Sequence, residues 1–172
     1  VPDDLADGET LVDRRRKETE ASIEALGAHR VVFLGYKDSG MTGWDQNNDP
    51  ESFLRADLAE AAGRLAAVLR EENADVVPTY DWHGNYGHPD HIKVHEVGNA
   101  AADVIAAEGN PIRLFEATMN RDRVVAMMQQ AMESGMTAPQ GNDDGEAFDP
   151  AGPADDGNPF GMPEAELTLE ID

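Results

Sequence analysis

The sequence of 172 residues predicts an α/β fold, a Rossmann-like three-layer sandwich built on a mostly parallel sheet. Three observations carry this. Short apolar runs alternate with longer segments of helical periodicity, the pattern of repeated β-α-β units. The runs are joined by helices rather than hairpin turns, as parallel strands require. A histidine-rich loop closes one apolar run and opens a helix, where an open α/β sheet places its site.

The elements follow in order. Residues 14–26 read as a helix with Ile23 and Leu26 inward and its charges outward. Residues 30–36 read as a buried strand through Val31, Val32, Phe33 and Leu34. A polar loop, 42–50, leads to a helix over 50–71 with an apolar stripe of Phe53, Leu54, Leu58, Ala61, Leu65, Val68 and Leu69. The run Asp75-Val76-Val77-Pro78 opens a buried strand over 75–80. Residues 89–107 form a helix with Ile92, Val94, Val97, Ala101, Val104 and Ile105 mostly inward, and Gly109-Asn110-Pro111 stops it. A strand over 112–117 precedes a helix over 122–133, whose Met127, Met128 and Met132 read as adaptable core packing.

Composition changes at 137–163, where Gly, Pro, Asp and Asn dominate; this acidic stretch reads as a disordered insertion or a long surface loop. Residues 167–172 alternate like a strand. No internal repeat is present, and 1–172 reads as one domain.

The balance of 35 acidic against 13 basic residues gives a net charge of −22. A field of that sign repels phosphate backbones and anionic lipid, which argues against nucleic-acid and membrane-surface partners. No apolar run approaches a membrane span, and the opening residues lack a signal-peptide pattern. With no cysteine there is neither a disulfide framework nor a thiolate metal site. These features predict a cytoplasmic globular domain; a homo-oligomer is compatible with them.

The chemistry concentrates in Thr79-Tyr80-Asp81-Trp82-His83-Gly84-Asn85-Tyr86-Gly87-His88-Pro89-Asp90-His91. Four of the five histidines, His83, His88, His91 and His95, lie in it or just beyond. Imidazole titrates near neutral pH and is the commonest metal ligand. Pro89 suits the first helical position, and Asp90 suits the first turn through the helix dipole. His88 and His91 are thereby held at the mouth of the sheet. His91 and His95 stand four apart, but the metalloprotease motif places Glu after its first His, and Ile92 is there. His95 is therefore assigned to a helix face, and His83 and His29 to solvent or turns. No Gly-x-Ser-x-Gly elbow exists for a serine hydrolase.

The stretch Tyr-Asp-x-x-Gly-x-Tyr-Gly-His-Pro-Asp-His resembles the second signature of the PIG-L/LmbE-like zinc deacetylases. Arg15-x-x-Glu18 with Ala25-Leu26-Gly27, the run from Phe33 to Met41, the run from Glu116 to Asp122 and the run from Gly161 to Leu167 resemble further family segments, in the same order. Members include N-acetylglucosaminyl-inositol deacetylases and mycothiol S-conjugate amidases. The resemblance implies a Zn2+ cofactor with His91 as one ligand, His88 as the general acid and Tyr86 as donor to the amide oxyanion. It also implies that Asp90 orients His88, and that Arg15, Asp38 and Met41 contact an amino-sugar substrate.

One departure accompanies the likeness. The family's first signature, His-Pro-Asp-Asp-Glu, supplies two zinc ligands and the general base. Val1-Pro2-Asp3-Asp4-Leu5 mimics it with Val in place of the ligating His, and reads as loop. The chain thus resembles a domain without its first β-α-β portion and its C-terminal helix. The implied activity is removal of an N-acetyl group by the complete protein. An S-conjugate amidase and a catalytically incomplete or purely binding fragment are the alternatives.

Overall fold

The computed structural model describes residues 5–135, 149, 151–154 and 156–171. Residues 1–4, read as loop, and most of the acidic stretch 137–163 lie outside the described residues. The chain divides into two compact units, Val1–Phe33 and Leu34–Asp172.

The first unit is built on helix α1 (Leu11–Leu26). Thr10 caps it reciprocally: the Asp13 N–H donates to Thr10 Oγ1 at 3.2 Å, and the Thr10 N–H donates to Asp13 Oδ2 at 3.0 Å. Such a capping box satisfies two end donors that would otherwise lack partners. Gly27, at φ 66°, closes the helix by donating to the Glu24 and Ile23 carbonyls. The Glu9 carboxylate accepts from Arg14 Nη2 at 2.9 Å and Lys17 Nζ at 2.7 Å. These two cations pull its pKa down to about 2, Arg14 having the larger effect. The helix buries none of its residues, and Leu26, expected inward, is 78% exposed. Among the described residues this unit contains one helix and no sheet, so an apolar stripe has no layer to pack on.

The second unit carries the sheet. Helix α2 (Leu58–Glu72) starts at Asp57, whose carboxylate accepts from the Glu60 N–H, and stops at Asn73 in the left-handed region. The segment before it, expected to be helical from residue 50, instead makes a 3-10 turn (Phe53–Arg55). Strand β1 (Val76–Tyr80) pairs in parallel with β2 (Arg113–Ala117), Val76 opposite Arg113 and Tyr80 opposite Ala117. Between them run a tight turn, α3 (Gly84–Gly87), and the long helix α4 (Pro89–Ala107). This is a β-α-β unit, as the alternating pattern predicts. Helix α5 (Arg121–Glu133) follows β2.

The core is made of small side chains. Ala62, Ala66 and Leu69 of α2 meet Val77 of β1 and Ala101 and Ile105 of α4. Alanines let the two helices approach closely; Ile105, 2% exposed, is more deeply buried than Leu69, the other large side chain of the cluster, at 8%. Burying such a side chain stabilises by about 1.5–3 kcal/mol. Arg70 and Glu108 join the ends of α2 and α4 at 2.5 Å, but both are nearly half exposed, and such pairs contribute about 0–1 kcal/mol.

Several expectations fail here. Residues 30–36 form no strand: Val32 and Phe33 are exposed, and only Lys37 beyond them makes a parallel bridge, to Ser52. A strand exists only through its neighbour's hydrogen bonds, and among the described residues no strand lies alongside this segment; the boundary between the two units falls within it. Residues 167–171 likewise join no sheet among the described residues. Strand β1 is buried on one face only, with Val77 and Thr79 inward and Val76 at 42% exposure. Leu58 at the start of α2 and Val104 of α4 are exposed. The methionines of α5 do not join the core cluster: Met127 is 68% and Met132 49% exposed and Met128 is half-buried, and among the described residues α5 packs on no buried cluster.

Candidate functional site

The site grows from the carboxyl end of β1. Asp81, the first residue past the strand, is buried; its N–H donates to the Ala117 carbonyl at 3.2 Å, extending the sheet's pairing. Its carboxylate accepts from the Asn85 N–H at 2.6 Å and from the Thr118 hydroxyl. These bonds hold the α3 turn, in which Asn85 takes φ 68° and Tyr86 φ −143°. A non-glycine residue at positive φ costs of order 1 kcal/mol or more, so the surrounding bonds must hold it there.

His88 caps helix α4. Its Nδ1 accepts from the Asp90 N–H at 3.1 Å, which leaves the proton of a neutral ring on Nε2. His91, one turn on, faces the Gly84 carbonyl through Nδ1 at 3.3 Å. A carbonyl only accepts, so Nδ1 carries the proton and Nε2 presents a lone pair. This is the tautomer that metal-binding histidines adopt, the other nitrogen being tied to a carbonyl. The His91 ring is stacked on Tyr80 and also on His88, 4.7 Å away. Tyr86 meets it edge-on, with ring centroids 5.0 Å apart at 79°. Burial, reinforced by the charge His88 can carry, lowers the pKa of His91 below its ordinary value. At neutral pH the ring is therefore uncharged, the form that binds a metal ion.

The structure thus brings Tyr86, His88 and His91 into one cluster. Asp90 joins it differently from the sequence expectation. Its main-chain N–H holds His88, while its carboxylate Oδ2 accepts from the Ser39 N–H at 3.0 Å and Oδ1 is buried without a partner. That bond pins the 38–41 loop to the start of α4. Asp38 at its head is exposed and caps Gly40 at 2.8 Å, and Met41 at its tail is half-buried. A cleft of about 300 Å³ opens between Thr42, Asn47 and Leu54 of this loop region and Gly87, Pro89 and Ile92 beside the histidines. That volume is at the lower end for small-molecule sites. Arg15 belongs to the first unit, where it pairs with Glu18 at 2.6 Å and is largely exposed.

Sequence reasoning missed three residues here. His83, assigned to solvent or a turn, is 1% exposed, with Nε2 3.2 Å from the Gly161 carbonyl. Asp81 and Ser39 are equally covered. Their burial depends on partners far along the chain, and only the polarity of an adjacent site loop hinted at it. His95 is half-buried on α4, 3.2 Å from Glu116 and 3.3 Å from the Tyr80 carbonyl through the same Nδ1, consistent with a helix-face role.

A zinc ion needs about three protein ligands in a catalytic site. Among the described residues no three His, Cys, Asp or Glu side chains converge on one point. His91 has the tautomer and the neutral charge of a ligand, and so fits as one member of a set; the described residues do not complete that set.

A β-α-β unit with a His-Pro-Asp-His helix start at its mouth defines an α/β protein whose histidine cluster lies where such folds place their sites. The family model for the PIG-L GlcNAc-PI de-N-acetylases matches residues 2–102, more than half of the chain, and the chain belongs to that family. It is similar to a 1D-myo-inositol 2-acetamido-2-deoxy-alpha-D-glucopyranoside deacetylase of Thermobispora bispora, 38% identical over 95% of this chain and 54% of the relative. A Salinispora arenicola protein of the same description is 39% identical over 81% of this chain and 44% of its own length. One from Catenulispora acidiphila is 43% identical over 63% of this chain and 32% of its own. The chain spans about half or less of the length of these relatives.

Proposed function

We propose that the protein carrying this chain is a zinc-dependent hydrolase that removes the N-acetyl group from an N-acetylglucosaminide such as an N-acetylglucosaminyl-inositol. The observation that carries the reading is the single cluster of His91, His88 and Tyr86, with His91 neutral and its Nε2 lone pair free of the Gly84 carbonyl. The relatives' names point to the same substrate class.

Each residue has a role. His91 is one zinc ligand, and the remaining ligands and the general base come from outside the described residues. A zinc ion held there supplies Lewis acidity. His88, with a proton on Nε2 and Nδ1 occupied by the Asp90 N–H, protonates the departing amine. The Tyr86 hydroxyl donates to the oxygen that becomes negative as the amide carbon turns tetrahedral. The Ser39–Asp90 bond supports reading the residues on either side of it in the loop, Asp38 and Met41, as sugar contacts, and Arg15 is proposed as a third. The products are glucosamine on its aglycone and acetate. The setting we propose is cytoplasmic, and no helix among the described residues is long and apolar enough to cross a membrane.

The test measures acetate and free amine released from N-acetylglucosaminyl-inositol by the zinc-loaded full-length protein. Acetate release that disappears on chelation and returns with zinc supports the reading. A zinc-loaded protein that cleaves only the amide of mycothiol S-conjugates places it with the amidases, and one that cleaves neither defeats the reading. The 172 residues alone are expected to bind zinc weakly and to release no acetate, since among the described residues nothing completes a ligand set with His91.

A further inference from the structure

We propose that His83 is a positioning residue for Tyr86, acting by latching the segment 156–162 across the α3 turn; the catalytic part of this inference rests on the deacetylase reading. Tyr86 lies between two residues that the segment touches. On one side, the Gly161 N–H donates to the Asn85 carbonyl at 2.8 Å. On the other, the Asp156 main chain lies so close to Gly87 that a Cβ there would sit 2.5 Å from the Asp156 nitrogen. The segment therefore brackets the tyrosine, and Asn85, a non-glycine residue, has positive φ, so the turn depends on outside support.

His83 stands beneath that bracket. Its Nε2 donates to the Gly161 carbonyl at 3.2 Å, and its Nδ1 is 3.5 Å from Asp156 Oδ2. One buried ring thus bonds the segment at Gly161 and faces it, without a hydrogen bond, at Asp156, and the His83 carbonyl itself accepts from the Gly87 N–H at 2.9 Å. Arg121 shares the Gly161 carbonyl, donating to it at 2.7 Å and to the Phe160 carbonyl at 2.8 Å, while the Met162 N–H donates to the Met119 carbonyl at 2.9 Å. The Arg121 contacts tether the segment to α5. The His83 contact seats it on the turn. A buried, nearly solvent-free imidazole with a ring nitrogen left unpaired is an expensive way to fill space, and its position between these two contact points accounts for it.

The experiment compares the full-length wild type with His83→Ala, His83→Gln and Gly161→Ala. Glutamine keeps an N–H donor at similar reach. Alanine at 161 would put its Cβ 2.4 Å from the Met119 carbonyl oxygen, displacing the segment from its other side while leaving His83 intact. Hydrogen exchange at the Gly87 amide and the NMR signals of the Tyr86 ring are read alongside the α4 amides of Ala101 and Ile105. His83→Ala is expected to speed Gly87 exchange about tenfold and shift the Tyr86 signals, with α4 unchanged, as loss of one net hydrogen bond implies. Gly161→Ala should do the same, and His83→Gln should recover most of the effect. In the deacetylase, kcat should fall with KM nearly constant. Unchanged Gly87 exchange and Tyr86 signals in both His83→Ala and Gly161→Ala would overturn the latch. Shifted spectra in a protein without deacetylase activity would leave the latch standing and remove the enzymatic reading instead.

Discussion

The ring of His91 lies flat against that of Tyr80, 4.0 Å between centroids and 5° from parallel. Tyr80 is the last residue of β1, so the sheet itself sets the plane of the imidazole. The Gly84 carbonyl then fixes rotation within that plane through Nδ1. Two constraints from different elements leave Nε2 one direction in which to point, the kind of preorganisation a metal ligand requires.

His91→Ala is expected to abolish zinc retention and, with it, turnover, whereas His88→Ala should keep the metal and lower turnover by about 100-fold or more, the usual contribution of a general acid. Zinc stoichiometry measured beside acetate release separates the two. Equal zinc content in the wild type and His91→Ala would remove His91 from the ligand set.

Tyr86→Phe is expected to reduce kcat on the order of 100-fold with little change in KM, because an oxyanion donor acts mainly in the transition state. Steady-state kinetics decide the matter. A change confined to KM would place the hydroxyl in ground-state binding.

The depressed pKa of His91 couples stability to pH. Unfolded, the ring takes up a proton as pH falls through 6.5; folded, burial keeps it neutral to lower pH. The unfolded state then holds more protons, so stability falls as pH drops below 6.5 and levels off once the folded ring also protonates. Melting curves of the metal-free protein should show this slope, and His91→Gln should flatten it.

Glu9 titrates with the opposite chemistry. Its carboxyl is lowered from 4.5 to about 2 by Arg14 and Lys17, so the stability it contributes is complete above 4.5 and is lost as pH falls toward 2. These side chains, rather than packed core, surround the carboxylate. Helicity of α1 followed by amide exchange should decline over that window, and Glu9→Gln should reduce it at neutral pH and remove this pH dependence.

Local physics made much of this legible. Pro89–Ala107 is the helix that Pro89 at its start and Gly109-Asn110-Pro111 beyond its end delimit, and β1, β2 and α5 each begin within one residue of where periodicity places them. Tyr86, His88 and His91 converge because a strand, a turn and a helix start follow one another within a dozen residues. What local pattern could not show was pairing at a distance. Val31-Val32-Phe33-Leu34 has the composition of a strand without a neighbour to hydrogen-bond. His83 resembles a solvated loop residue until Gly161, 78 positions on, covers it. The Asp90 carboxylate answers to Ser39, 51 positions back, rather than to the histidine beside it.

Gly98 of α4 is buried against Thr79, where a Cβ would stand 2.3 Å from the threonine methyl. At about 1.5 Å of rise per residue, His91 lies roughly 10 Å up the axis from that contact and His88 roughly 15 Å. The helix is thus a lever with its fulcrum on β1. Any side chain at 98 would lift it there and swing both imidazoles at its tip. The aim of the histidines is governed from two to three turns away, by an absent methyl group.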